Sequence, residues 1–201
     1  MIVGLGINFE DIVGKLYLGL IFHRLDGTLG GAAKIRGRKN IHIGAHFTCG
    51  KYLRIEAIKQ YNEKNSNVRP QIIIKDNVSF NDFTHIGAVN CVEIGNHVLF
   101  GSKCYVTDHN HGIYSGDNGQ SDPDIPPAQR LLTYDKKVII EDNVWLGDNV
   151  TVLPGVIIGK GSIIGSNAVV SKSIPPYSIA VGIPARVVKK WNPVYKQWEK
   201  I

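Results

Sequence analysis

The chain has no run of 18 apolar residues, so nothing in it reads as a membrane-spanning helix. Cysteine is scarce. Cys49, Cys91 and Cys104 are odd in number and never stand in a C-x-x-C spacing. This argues against a disulfide scaffold or a zinc knuckle and for a reducing compartment. No secretory leader is visible, because the first apolar stretch carries Glu10 and Asp11 behind no basic segment, and a cytoplasmic location is expected. A net charge of +6 is dispersed along the 201 residues without a basic stripe interleaved with aromatics, which argues against nucleic-acid binding. Leucine is also sparse, at 12 residues against 26 Ile and 19 Val, while Gly numbers 22. β-branched residues suit pleated backbone and glycine suits tight turns, so the chain is expected to be strand and turn rather than a helical bundle.

What the chain does have is a period of six. Ile140, Leu146, Val152, Ile158, Ile164 and Val170 are six apart, and four residues after each come Val144, Val150, Val156, Ser162, Ala168 and Ile174. The register appears earlier at Ile74, Phe80 and Ile86, slips by two, and resumes at Ile94, Phe100 and Val106, with fainter copies at Ile43, Cys49 and Ile55. Six matches neither the helical nor the strand period. It matches short strands joined by sharp bends, three to a triangular coil of about 18 residues, stacked so that one aliphatic residue per step faces inward. Glycines beside the inward residue (Gly147, Gly159, Gly165) and the pairs Asp142-Asn143 and Asp148-Asn149 suit corners with unusual dihedrals.

Two segments break the period. Residues 58–71 are polar and read as a loop extruded from a corner. Residues 107–137 are too long for a passive connection and hold two of the seven histidines, which marks them as functional. Phe9, Ile12, Val13, Leu16, Tyr17 and Leu20 give residues 9–22 one apolar helical face. Residues 1–30 are therefore read as a helical cap or a membrane-surface segment, 31–188 as the coil domain, and 189–201 as a short C-terminal helix started by Asn192 and Pro193.

Residues 138–188, with N-V-W-L-G, S-K-S-I-P-P and G-I-P-A-R, resemble the hexapeptide-repeat acyltransferases, and the resemblance fades back to about residue 35. Within that group the chain is similar to maltose/galactoside acetyltransferases and to enzymes that O-acetylate bacterial polysaccharides. The resemblance implies an all-β, left-handed parallel β-helix, a homotrimer with sites between adjacent chains, and acetyl-CoA as co-substrate with no metal. It implies a His base in the extruded loop, eight residues after a coil glycine. Gly101 and His109 fit that spacing. Imidazole is suited to taking a proton from a sugar hydroxyl near neutral pH as the hydroxyl attacks a thioester. Direct transfer in a ternary complex is expected, with no acyl-enzyme.

The same resemblance implies supporting residues. His111 is expected to assist or to contact substrate, and Asn81 to contact the acceptor sugar. The family's acceptor-holding acid is replaced here by Val89, and Asp82 is a candidate substitute. His85 reads first as a surface residue of the coil, with a place lining the same cleft as the alternative. Trp145 is expected to wall the cleft, and Gly147, Ser166, Ser171, Lys172 and Arg186 to contact coenzyme A, the two cations through its phosphates. The preferred acceptor is a hydroxyl of a capsule, O-antigen or exopolysaccharide precursor. A free sugar, serine, an antibiotic or a nucleotide sugar stays open, as does a non-catalytic β-helix scaffold. A γ-type carbonic anhydrase is excluded, because no two of the seven histidines have the H-x4-H spacing its zinc needs.

Overall fold

The computed structural model describes residues 26–61, 64–65, 71–114, 119–133 and 136–201. The chain winds round three flat walls in turn. The first wall is built from Thr28–Leu29, Thr48–Cys49, Ser79–Phe80, Leu99–Phe100, Trp145–Leu146, Ile163–Ile164 and Ser178–Val181. The second holds Lys34–Arg36, Arg54–Ala57, His85–Ala88, Tyr105–Thr107, Thr151–Val152 and Val169–Val170. The third holds Ile41–Ile43, Gln71–Ile74, Cys91–Ile94, Lys137–Ile140 and Ile157–Ile158. Neighbouring strands within the three walls are parallel. Ile139 pairs with Ile157, Trp145 with Ile163 and Thr151 with Val169, each eighteen residues on. This is a parallel β-helix of triangular coils, consistent with the left-handed form that the resemblance implies.

Parallel register stacks residues of equal phase, so the six-residue series becomes continuous columns. Ile74, Ile86, Ile94, Phe100, Val106, Ile140, Leu146, Val152, Ile158, Ile164 and Val170 are sealed from solvent, and the second series of Val78, Val98, Val144, Val150, Val156 and Ala168 is buried beside them. Each such aliphatic side chain contributes on the order of 1.5–3 kcal/mol by leaving water.

The corners divide the work between residue types differently from the expectation. Positive φ falls on Asn77, Asn143, Asn149 and Asn167, which tolerate the left-handed region, and also on His46, Tyr52, Phe83, His97, Lys103 and Tyr177, which the coil holds there. The glycines after the inward residue serve close approach instead. A Cβ on Gly101 would lie 2.5 Å from the backbone nitrogen of Asp148, and one on Gly147 would lie 2.6 Å from Ser166 Oγ. Corner aspartates staple each coil to the one before it. Asp76, Asp82, Asp142 and Asp148 each accept through Oδ1 from the N–H of Ala45, Lys51, Asn96 and Ser102 at 2.6–2.7 Å. The hydrogen bond from the Asn96 N–H is the main reason the Asp142 carboxyl lies below its ordinary value.

The C-terminal helix is corrected. Arg186–Asn192 and Gln197–Lys200 are antiparallel strands extending the first wall. Asn192 does not start a helix. Its Oδ1 accepts from the N–H groups of Val194 and Tyr195, which closes a turn with Lys196 at positive φ. Trp191 and Trp198 face each other across the strands, edge to face at 5.4 Å, so their shared face is a sheet face. The helix expected over 9–22 lies outside the described residues.

Substituting Ile94→Ala should cost about 2–5 kcal/mol in denaturant unfolding. The same change at Ile157, which is 42% exposed, should cost much less. Equal losses would contradict the inward column.

Candidate active site

The second wall carries the candidate site. Its strands alternate inward and outward, and parallel pairing aligns the outward residues into two ladders. One runs Lys34, Arg54, His85, Tyr105, Thr151, and the other runs Arg36, Glu56, Gly87, Thr107. The two loops that break the period meet over this wall. Gln60–Tyr61 pairs antiparallel with Lys64–Asn65, and His111 bridges Leu132 in the second loop. Tyr61 ties the loops together: its hydroxyl donates to Ala128 O at 3.0 Å and its ring meets the His111 ring edge-on at 5.1 Å. Beneath them is a cavity of about 210 Å³, lined by Arg36, Arg54, Glu56, His85, His109 and His111, with Gly87 in its floor and Tyr61 at its rim.

His109 enters this cavity from the point where the chain leaves the wall. Its side chain is 9% exposed, and Nδ1 lies 3.0 Å from Asp108 Oδ1. Asp108 is fully buried and also accepts the N–H groups of Val89 and Asn90, each at 2.8 Å. The Thr107 hydroxyl, 3.1 Å from Nδ1, donates to the His109 carbonyl oxygen, so the ring proton belongs on Nδ1, facing the carboxylate. Nε2 then carries the free lone pair and has no hydrogen-bond partner among the described residues. Gly87 leaves room for this ring: a Cβ there would lie 3.3 Å from His109 Cε1 and 3.9 Å from His85 Nε2.

One rung below the Gly87 hollow lies Glu56, only 3% exposed. Arg36 Nη1 reaches its Oε1 at 3.1 Å, while Arg54 Nη2 and His85 Nε2 reach Oε2 at 2.5 and 3.3 Å. Burial works against ionisation of Glu56, but the hydrogen bonds and charges of Arg54 and Arg36 outweigh it and hold the carboxyl below its ordinary value. His85 is shifted down, first by burial and then by the charge of Arg54, so it stays neutral at neutral pH. Cys104, close to His109 in sequence, is buried with its thiol pushed up to about 11 by desolvation and its Sγ against Gly147 O at 3.2 Å. At neutral pH it therefore offers no thiolate.

The other residues singled out from the sequence are not in this cavity. Asn81 and Asp82 lie on the edge between the first and second walls, where Asp82 is one of the four stapling aspartates. Gly147 and Ser166 follow on the same edge, packed against each other. Trp145 stands half-exposed on the outer face of the first wall, away from His109 of its own chain. Ser171 and Lys172 sit on the next edge, after Val169–Val170, and Arg186 opens the first strand of the terminal hairpin. Lys172 and Arg186 are exposed, and no carboxylate among the described residues pairs with either. Val89 is buried and contributes its N–H to Asp108 rather than a side chain to the cleft.

Residue-by-residue reading missed Glu56, Arg36, Arg54, Gly87, Tyr61 and Asp108. The repeat held the signal for three of them. Aligning Ile35, Ile55, Ile86 and Val106 as one inward ladder puts Arg36, Glu56, Gly87 and Thr107 on the adjacent outward one. No among-coil rule announces Tyr61, because its place depends on how two loops fold back.

Nitrogen NMR of the neutral imidazole of His109 should show Nδ1 protonated and Nε2 bare. Asp108→Asn should mix the tautomers and lower stability by about 1–3 kcal/mol as a buried acceptor is lost. An unchanged tautomer would remove Asp108 from this role.

The sequence and the fold both have relatives. The bacterial transferase hexapeptide family (six repeats) matches residues 137–172. WbbJ of Escherichia coli K12, which carries the name of a lipopolysaccharide biosynthesis O-acetyl transferase, is 40% identical over 193 residues, covering 96% of this chain and 93% of that protein. The galactoside O-acetyltransferase of Lactococcus lactis is 43% identical over 99 residues, 49% of this chain and 43% of that one. Among solved structures, a mutant of AntD, an N-acyltransferase from Bacillus cereus crystallised with dTDP-4-amino-4,6-dideoxyglucose and coenzyme A, superposes with a TM-score of 0.55 at 21% identity, over 85% of this chain and 83% of that one. VCA0836, a hexapeptide-repeat acetyltransferase from Vibrio cholerae, gives 0.50 at 20% identity over 92% and 84%. The coils, the period and the near full-length match to an O-acetyl transferase agree, and the chain belongs to the hexapeptide-repeat acetyltransferases.

Proposed function

We propose that this acetyltransferase moves the acetyl group of acetyl-CoA to a hydroxyl of a saccharide that is a precursor of a cell-surface polysaccharide, with His109 as general base. The observation that carries the reading is the His109 imidazole above the Gly87 hollow, its Nδ1 tied to buried Asp108 and its Nε2 without a hydrogen-bond partner among the described residues. In that arrangement Nε2 takes the hydroxyl proton as the oxygen attacks the thioester carbonyl, and Asp108 stabilises the imidazolium that results. The proton then leaves with the thiol, so the base is regenerated. Imidazole catalysis of this type contributes on the order of 10²–10⁴-fold.

Coenzyme A supplies the activated acetyl group. Lys172 and Arg186 suit its phosphates, since both are exposed cations without an acidic partner among the described residues. Gly147, Ser166 and Ser171 offer coil-edge contacts. Asn81 and Trp145 stand on other faces than His109, which supports a site completed between adjacent chains of a homotrimer, with Asn81 touching the acceptor and Trp145 walling the cleft from a neighbouring copy. His111, under the roof with Tyr61, contacts the acceptor. The similarity to WbbJ supports a polysaccharide acceptor. No helix among the described residues is long and apolar enough to cross a membrane.

His109→Ala should lower kcat at least about 10²-fold with saccharide acceptors while calorimetry shows acetyl-CoA affinity within a few-fold of the unaltered protein. Retained turnover would remove His109 as the base.

A further inference from the structure

We infer that the acceptor carries an anionic group, a phosphate or a carboxylate, and that Arg36 and Arg54 read it at the end of the cavity away from the base. This rests on the proposal that the cavity receives a saccharide acceptor.

The charge arrangement is the first ground. The described residues that line the cavity supply two guanidiniums and one carboxylate, Arg36, Arg54 and Glu56, with His85 held neutral. The excess is one positive charge before any other histidine is protonated. A structural clamp for buried Glu56 needs one cation, and Arg54 at 2.5 Å already provides it. Arg36 is 63% exposed on the open side, where a surface pair adds little stability.

Donor geometry is the second ground. Each arginine reaches Glu56 through a single terminal nitrogen, Nη1 of Arg36 and Nη2 of Arg54. The remaining N–H groups of two planar forks are left for a ligand, and such forks match phosphate and carboxylate oxygens in pairs. Glu56, nearly sealed from solvent, fixes the positions of both forks.

Spacing is the third ground. Rungs of a parallel sheet are about 4.8 Å apart, so Glu56 lies about 10 Å and Arg36 about 14 Å along the wall from Thr107, which contacts the base. The Gly87 hollow between them is the one place on this ladder without a side chain. A sugar ring seated there would present one hydroxyl to His109 Nε2 and a substituent on its far side to the arginines. Glu56 is also the carboxylate of this cleft, paired with Gly87 one rung from the strand that leads to Val89.

The test uses the full chain with acetyl-CoA and matched acceptors: one sugar offered as its methyl glycoside, its 1-phosphate and its uronic acid, repeated over several sugars. The expected result is a KM at least ten-fold lower for a charged member than for the methyl glycoside, with the advantage shrinking as salt is raised. Preference for the 1-phosphate identifies a phosphorylated acceptor, and preference for the uronic acid a carboxylated one. In Arg36→Ala and in Arg54→Lys, which keeps the charge but loses the fork, the ratio of kcat/KM between charged and neutral members should fall to within about three-fold of unity. Acetylation of sugars with no charge preference, or a preference that survives both substitutions, overturns the inference and leaves the acetyl-transfer reading intact. No acetylation of any sugar overturns both.

Discussion

Everything in this molecule depends on the in-register parallel hydrogen bonding of one coil to the next. That register turns a six-residue period in the sequence into columns in space. The inward columns become a core one residue wide and many rungs deep, and β-branched residues dominate it because they pack well on pleated backbone. The outward columns become ladders whose members are distant in sequence and about 4.8 Å apart in space. A catalytic surface can therefore be assembled from single residues contributed by successive coils.

The second wall shows what that geometry offers. Arg36, Glu56, Gly87 and Thr107 belong to four coils, yet they form one line along the wall, and the first three of them line the cavity. The regular coils hold this line rigid. The two interruptions of the period supply the groups that the coils cannot present, namely the proposed base His109 lifted off the wall and a roof over it. His109 stands where the chain departs from Tyr105–Thr107, and buried Asp108 fixes both its ring and the backbone of Val89 and Asn90. Positioning of the base and closure of that corner are therefore one structural event.

The scaffold was legible because every rung repeats the same requirement. An inward Ile or Val and a small or aliphatic residue four places on recur until chance is excluded, and His109, the proposed base, was pointed to by its distance from coil glycine Gly101. The terminal segment was misread because Trp191, Tyr195 and Trp198 fit a helical face, whereas the Asn192 side chain closes a turn that a spacing rule does not see. The acid in the cleft was sought near Val89 and Asp82, within the stretch that matches the family. It was found at Glu56, where the match is weak and only the ladder register points. Contacts between loops, such as Tyr61 with Ala128 and His111, follow from no local pattern.

The central claim is that acetyl transfer takes place at His109 Nε2 above the Gly87 hollow. A crystal structure of the protein with coenzyme A and a saccharide tests it most directly. The account predicts the coenzyme sulfur and one sugar hydroxyl within hydrogen-bond reach of Nε2, the ring over Gly87, and the pantetheine arm entering between two chains. A sulfur seated on another face of the β-helix, with the hollow left to solvent, would contradict it.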